Sequence, residues 1–151
     1  MAREDYAFFH ALRVRWAEAD MQGIVFNGHY LTYFDVAFTE YWRASGLPGF
    51  AAQAQQGQEM FARKATIEFH APARFDDILD IGVRCAAIGR SSLRFVIDIF
   101  NGDAHLISGE LAYVYADTTL RKGVAVPDDW RTILTGVEKL PPDLQSRKPS
   151  P

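Results

Sequence analysis

Residues 29–45, HYLTYFDVAFTEYWRAS, constrain the fold more than any other stretch of the chain. Tyr30, Phe34, Ala37, Phe38, Tyr41 and Trp42 recur at spacings of three and four, the period of an α-helix with an apolar face. Leu31, Tyr33 and Val36 carry apolar surface beyond that single stripe, so the pattern predicts a helix buried on most of its sides. Gly46 and Pro48 supply the stop. In a chain of 151 residues, such a helix needs a sheet curved around it or a second subunit to cover it.

The remainder of the chain reads as that sheet. Residues 11–17, ALRVRWA, alternate apolar and polar positions, as a strand with one buried face does. Residues 48–58 are small, polar and glycine-containing, which predicts a loop with room for one helical turn. MFARKATIEFHA then alternates, with Ala65, Ile67 and Phe69 on one face against Lys64, Thr66, Glu68 and His70. PARFDD interrupts it, because Pro72 has no N–H to give a ladder and Asp76 and Asp77 favour a turn. ILDIGVRCAAI, SLRFVIDIF and HLISGELAYVYA follow as three more strands, separated by GRS and by the hairpin signal Asn101-Gly102. VPDDWRTIL closes as a short helix, with Pro127 and two acids at its start. The expected organisation is one domain over residues 1–140 and a disordered Pro-rich tail over 141–151.

Composition narrows the function. With 19 acidic and 16 basic residues the net charge is −3, which offers no field for a nucleic acid backbone. No apolar run has the roughly 20 residues that span a bilayer. The N-terminus lacks the layout of a signal peptide, and the single cysteine, Cys85, has no partner for an internal disulfide. A cytoplasmic, soluble protein is expected. Metal-ligand spacing, a Gly-rich phosphate loop and a dinucleotide fingerprint are all missing from the sequence.

The chemistry concentrates in EADMQGIVFNGHY, residues 18–30. Asp20 is followed by Gly23, a residue free to take backbone shapes others avoid, and then by the start of the long helix. A helix start presents unpaired N–H groups and a positive dipole end. A carboxylate facing such a group of donors suits acyl transfer, with the acid attacking a carbonyl or activating water and the amides holding the oxyanion. Asp20 as a plain turn carboxylate and Asn27 as a simple N-cap are the competing readings. Glu18 is read as a solvated or ion-paired neighbour, and His70 and His105 as ordinary strand residues.

RWAEADMQGIVFNGHYLTYFDVAFTEYWRASGL resembles the signature segment of the 4-hydroxybenzoyl-CoA thioesterase family of hot-dog acyl-CoA thioesterases. The matching positions are Asp20, Gly23, the apolar Ile24-Val25-Phe26, the turn Asn27-Gly28-His29 and Tyr30. ATIEFHAPARFDDILDI and GELAYVYADTTLRKGVAVPDDWRTIL resemble the family's later segments, so the likeness runs from about residue 10 to 135. One departure stands out: where many relatives carry His, any residue, Asn and Tyr, this chain carries Asn27, Gly28, His29 and Tyr30.

The resemblance implies an α+β hot-dog fold, a long central helix wrapped by a curved antiparallel sheet of about five strands. It implies hydrolysis of an acyl-CoA, or of an acyl group on a carrier protein, to a free acid and a thiol. Asp20 would be nucleophile or general base, and the amide around Asn27 the main oxyanion donor. Gly28, His29 and Tyr30 would contact the substrate, while Arg90 and Ser91 of GRSSLR would meet the phosphorylated end of CoA, with Arg63 and Lys64 as competing cations. No metal and no cofactor beyond the CoA of the substrate are implied. The family's habit of building each site from two subunits implies a homodimer or homotetramer. A hot-dog hydratase or dehydratase and a non-catalytic acyl-CoA binding module are the alternatives.

Overall fold

In the computed structural model, which describes residues 1–145, a six-stranded sheet curves around one long helix. The elements run β1 (Phe9–Arg13), α1 (His29–Ala44), α2 (Phe50–Gln55), β2 (Gln58–Phe69), β3 (Ile78–Ile88), β4 (Ser92–Asn101), β5 (Ala104–Asp117), α3 (Asp128–Val137) and β6 (Asp143–Leu144). Sheet order is β1-β3-β4-β5-β2, antiparallel throughout, with β6 pairing in parallel with β3.

The helix ends where its sequence says it should. It buries Tyr30, Tyr33, Phe34, Ala37, Phe38, Tyr41 and Trp42 and leaves Leu31 and Val36 exposed, so within one chain a single face is covered. That face meets Leu79, Ile81 and Val83 of β3, Phe95, Ile97 and Ile99 of β4, and Ile107 and Leu111 of β5, all buried. Phe34 lies so close to β5 that a Cβ on Gly109 would come within 2.5 Å of its ring, so glycine is required there. Truncating the fully buried Phe34 to alanine would cost about 3–5 kcal/mol.

Three expectations shift. The strand expected at 11–17 is β1, five residues placed earlier. The Val14 N–H donates to Asp77 O and the Arg15 N–H to the Glu18 carboxylate, which draws the chain off the sheet into a 3-10 turn at Trp16–Glu18. β2 does not bury one face cleanly: Ala65 and Phe69 are exposed and Ile67 half-buried, because it is an edge strand with β5 on one side only. The tail expected to be disordered from residue 141 begins with a paired segment, Asp143–Leu144 against Ala87–Ile88. The rest of that tail, 146–151, lies outside the described residues.

Candidate active site

The segment between β1 and α1 is a small hairpin laid against the helix start. The Phe26 N–H donates to Glu18 O at 3.0 Å, Ala19 and Val25 form a bridge, and the Asp20 N–H donates to Ile24 O at 2.8 Å. Its tip is a turn from Asp20 to Gly23, closed by the Gly23 N–H on Asp20 O at 2.9 Å. Gly23 sits at φ +76°, the left-handed region where a side chain is strained. The far strand of the hairpin is tied to the turn before β3 through the Val25 N–H on Ala73 O and the Ile24–Arg74 bridge.

Asp20 is half-buried. Its Oδ1 accepts the Gln22 N–H at 2.8 Å, while Oδ2 has no hydrogen-bond partner among the described residues. It therefore serves as a turn carboxylate with one oxygen unengaged among the described residues. Its charge is felt at Tyr30: burial pushes that hydroxyl's pKa up, the Ala73 N–H opposes this, and Asp20 adds to the rise.

The helix opens without a side-chain cap. Gly28, not Asn27, occupies the N-cap position, so the simple N-cap reading of Asn27 does not hold. The His29 N–H turns back to Phe26 O and the Tyr30 N–H to Asn27 O. The N–H groups of Asn27 and Gly28 find no acceptor among the described residues, as the first amides of a helix commonly do not. Asn27 and Tyr30 line a cavity of about 230 Å³, with Ile24, Val25, Phe69, His70, Ala71 and Pro72. Tyr30 is buried and its hydroxyl accepts the Ala73 N–H at 3.1 Å; His29 is half-buried with its ring against Phe26. Of the expected site residues, Asn27 and Tyr30 thus line this cavity, while Asp20, Gly28 and His29 are not in its lining and lie on the same hairpin and helix start.

Arg90 and Ser91 do not join them within one chain. They lie in the β3–β4 turn, at the opposite end of β3, roughly 30 Å of strand away. Arg90 O accepts the Val126 N–H and Ser91 O the Tyr115 N–H, both at 2.7 Å, which leaves the Arg90 side chain exposed.

Two features escape sequence reasoning. His70 lines the cavity, with Nε2 2.8 Å from Ser108 Oγ. Glu18 is ion-paired with Arg15 at 2.6 Å, one of the two expectations for it, but it is buried, at 5% exposure, which the sequence did not indicate. Burial alone would raise its pKa, but the Arg15 guanidinium, the Arg15 N–H and the Tyr33 hydroxyl together hold it below the usual carboxylate value. The i, i+3 spacing of Arg15 and Glu18 was the only hint. Cys85 makes a poor nucleophile, because burial, aided by the negative charge of Glu138, pushes its thiol up to about 12. Among the described residues no cluster of three or more His, Cys, Asp or Glu could hold a metal, and no helix is long and apolar enough to cross a membrane.

The thioesterase superfamily profile matches residues 22–108, from the Asp20–Gly23 turn into β5. The chain belongs to the thioesterase superfamily. A relative from Escherichia coli, named acyl-CoA thioester hydrolase YbgC, is 31% identical over 119 residues, covering 77% of this chain and 87% of its own. Two solved structures share the hot-dog fold. A thioesterase-superfamily protein of Jannaschia sp. superposes with TM-score 0.80 at 22% identity, over 89% of this chain and 94% of its own. A hypothetical protein of Aquifex aeolicus does so with TM-score 0.76 at 25% identity, over 84% and 98%.

Proposed function

We propose that this superfamily member hydrolyses acyl-CoA thioesters to a carboxylic acid and free CoA. The observation that carries the reading is a carboxylate, Asp20, with one oxygen unengaged among the described residues, on the same short hairpin that leads to two helix-start amides likewise unengaged, those of Gly28 and of Asn27, which lines a cavity. A thioester carbonyl whose oxygen met the Asn27 and Gly28 N–H groups would gain stabilisation as negative charge develops there. Asp20 either attacks the carbonyl carbon, giving an anhydride that water then opens, or takes a proton from the water that attacks. In both routes the C–S bond breaks, the thiolate leaves and is protonated, and the acid is released. Ile24, Val25 and Phe69 offer the acyl group apolar walls, and Asn27 and Tyr30 line the same cavity; Gly28 and His29, beside them in the chain, would stand at the carbonyl end. The Arg90 and Ser91 turn would meet the nucleotide end of CoA from a second subunit.

A homo-oligomer fits this reading. The run Ala62–Thr66 is exposed along the edge strand β2, Leu31 and Val36 are exposed on α1, and Phe69 is exposed at the cavity. The lone cysteine, unpaired and buried, supports a cytoplasmic location. Incubating the protein with a panel of aliphatic, aromatic and enoyl acyl-CoAs and following free thiol tests the activity. Stoichiometric thiol and acid are expected. A change in the alkene without thiol would establish a hydratase instead, and binding without turnover a carrier module.

A further inference from the structure

We propose that Glu18 is a positioning residue that, clasped between Arg15 and Tyr33, fixes both Asp20 and the Asn27 amide in place. The inference rests on the thioesterase reading above. Four donors converge on the Glu18 carboxylate. The Arg15 N–H reaches Oε1 at 2.8 Å and the Tyr33 hydroxyl reaches it at 2.9 Å. Arg15 Nη2 and Nε reach Oε2 at 2.6 and 3.1 Å. With both oxygens engaged and the side chain buried, Glu18 has nothing left with which to attack a carbonyl or take a proton. Asp20, two residues on, keeps one oxygen unengaged among the described residues. The two acids of the same motif are therefore divided between support and chemistry.

The support has a defined route. Tyr33 is buried in α1, one turn beyond Tyr30, so its hydroxyl ties Glu18 to the rigid helix. Glu18 O in turn takes the Phe26 N–H, and the hairpin ladder carries that register outward to Asp20 and Ile24. Phe26 immediately precedes Asn27. One residue thus joins the helix, through its carboxylate, to both strands of the hairpin, through its backbone, and a shift at Glu18 moves the acid and the oxyanion donor relative to each other. Reaction rates are sensitive to such shifts on the scale of an ångström.

Glu18→Gln removes the charge that matches Arg15, and Tyr33→Phe removes one oxygen and nothing else. Both variants and the double variant are assayed for thiol release, and amide hydrogen exchange is followed on the full chain. Each single change is expected to lower kcat by about ten- to a hundredfold with KM within about twofold. The double variant should be no worse than the poorer single, because the two residues act through one clasp. Amides of residues 20–28 should exchange faster in both, with those of β3, β4 and β5 unchanged. A loss carried by KM, additive effects of the two changes, or unchanged exchange at 20–28 would overturn the proposal. If the parent released no thiol from any acyl-CoA, the thioesterase reading would fall. The exchange experiment would still decide whether the clasp holds the hairpin.

Discussion

Helix α1 sends two tyrosine hydroxyls to two buried glutamates, and the two pairs behave in opposite ways. At the site end, Tyr33 donates to Glu18 at 2.9 Å and Arg15 pairs with the same carboxylate. Two turns later, Tyr41 donates to Glu138 at 2.5 Å, but the second donor there is the Cys85 N–H at 2.7 Å rather than a cation. Oε1 of Glu138 has no partner among the described residues. Burial pushes the Glu138 pKa up, and the donors from Tyr41 and Cys85 with the more distant Arg84 charge offset that only in part; at Glu18 the donors from Arg15 and Tyr33 outweigh burial. Glu138 closes a gap: β1 pairs with β3 only as far as Gly82 and β6 begins at Ala87, leaving the Cys85 N–H at an open edge. The glutamate beside the hairpin is paired with a cation, whereas the one at the sheet edge is held by two neutral donors.

The largest expected difference comes from removing each hydroxyl. Tyr33→Phe should lower kcat by about tenfold or more while the melting temperature moves little. Tyr41→Phe should do the reverse, costing about 1–3 kcal/mol by leaving buried Glu138 with one donor fewer, with kcat per folded molecule unchanged. Thermal melts and thiol-release kinetics on the same preparations separate the two, and equal kinetic losses would erase the contrast.

A smaller effect is the sign of the pH dependence. Glu138 is raised in the folded state, so its contribution is full below the unfolded value of about 4.3 and is lost as pH rises through the folded value. Glu18 is lowered, so its contribution is present above about 4.3 and is lost as pH falls through its folded value. Relative to Glu138→Gln, the parent should therefore lose stability as pH rises from 4. Relative to Glu18→Gln, its advantage should shrink as pH falls below 4. Melting temperatures across pH 3–8 check both, and slopes of the same sign would contradict the assignment.

Much of this molecule can be read in its sequence, and the unread part has a common cause. The extent of α1 follows from apolar spacing to within a residue, and the β4–β5 hairpin from Asn101-Gly102, because both signals are local. Asp20, Gly23 and the helix start cluster in sequence and so cluster in space. Glu18 reads as a solvated or ion-paired neighbour; the ion pair to Arg15 is there, but its burial shows only once Tyr33, on another element, is placed over it. His70 looks like an ordinary strand residue until the β2 end folds against Asn27 and Tyr30. The Arg90 turn has the composition of a phosphate contact, yet nothing local says which end of the sheet it occupies. Long-range contacts decide these cases.

The smallest expected effect is at that turn. Arg90→Ala should raise KM for acyl-CoA a few-fold and spare kcat, because the contact is far from the reacting carbonyl. Since Arg90 stands at the far end of β3 within its own chain, the same effect requires an oligomer in solution, which light scattering at micromolar concentration measures. A strictly monomeric enzyme with an Arg90-dependent KM would contradict the placement.

The most direct test of the account is the hydrolysis rate of Asp20→Asn beside its parent. The substitution keeps size and shape and removes the charge that attacks or activates water. A general base is worth about 10²–10⁴ in rate, so thiol release should fall at least about a hundredfold. Acyl-CoA binding, the melting temperature and amide exchange at residues 20–28 should stay close to the parent's, because Asp20 sits at a half-buried turn outside the core. Hydrolysis within a few-fold of the parent would show that Asp20 is not the catalytic carboxylate, whatever the hairpin does to hold it.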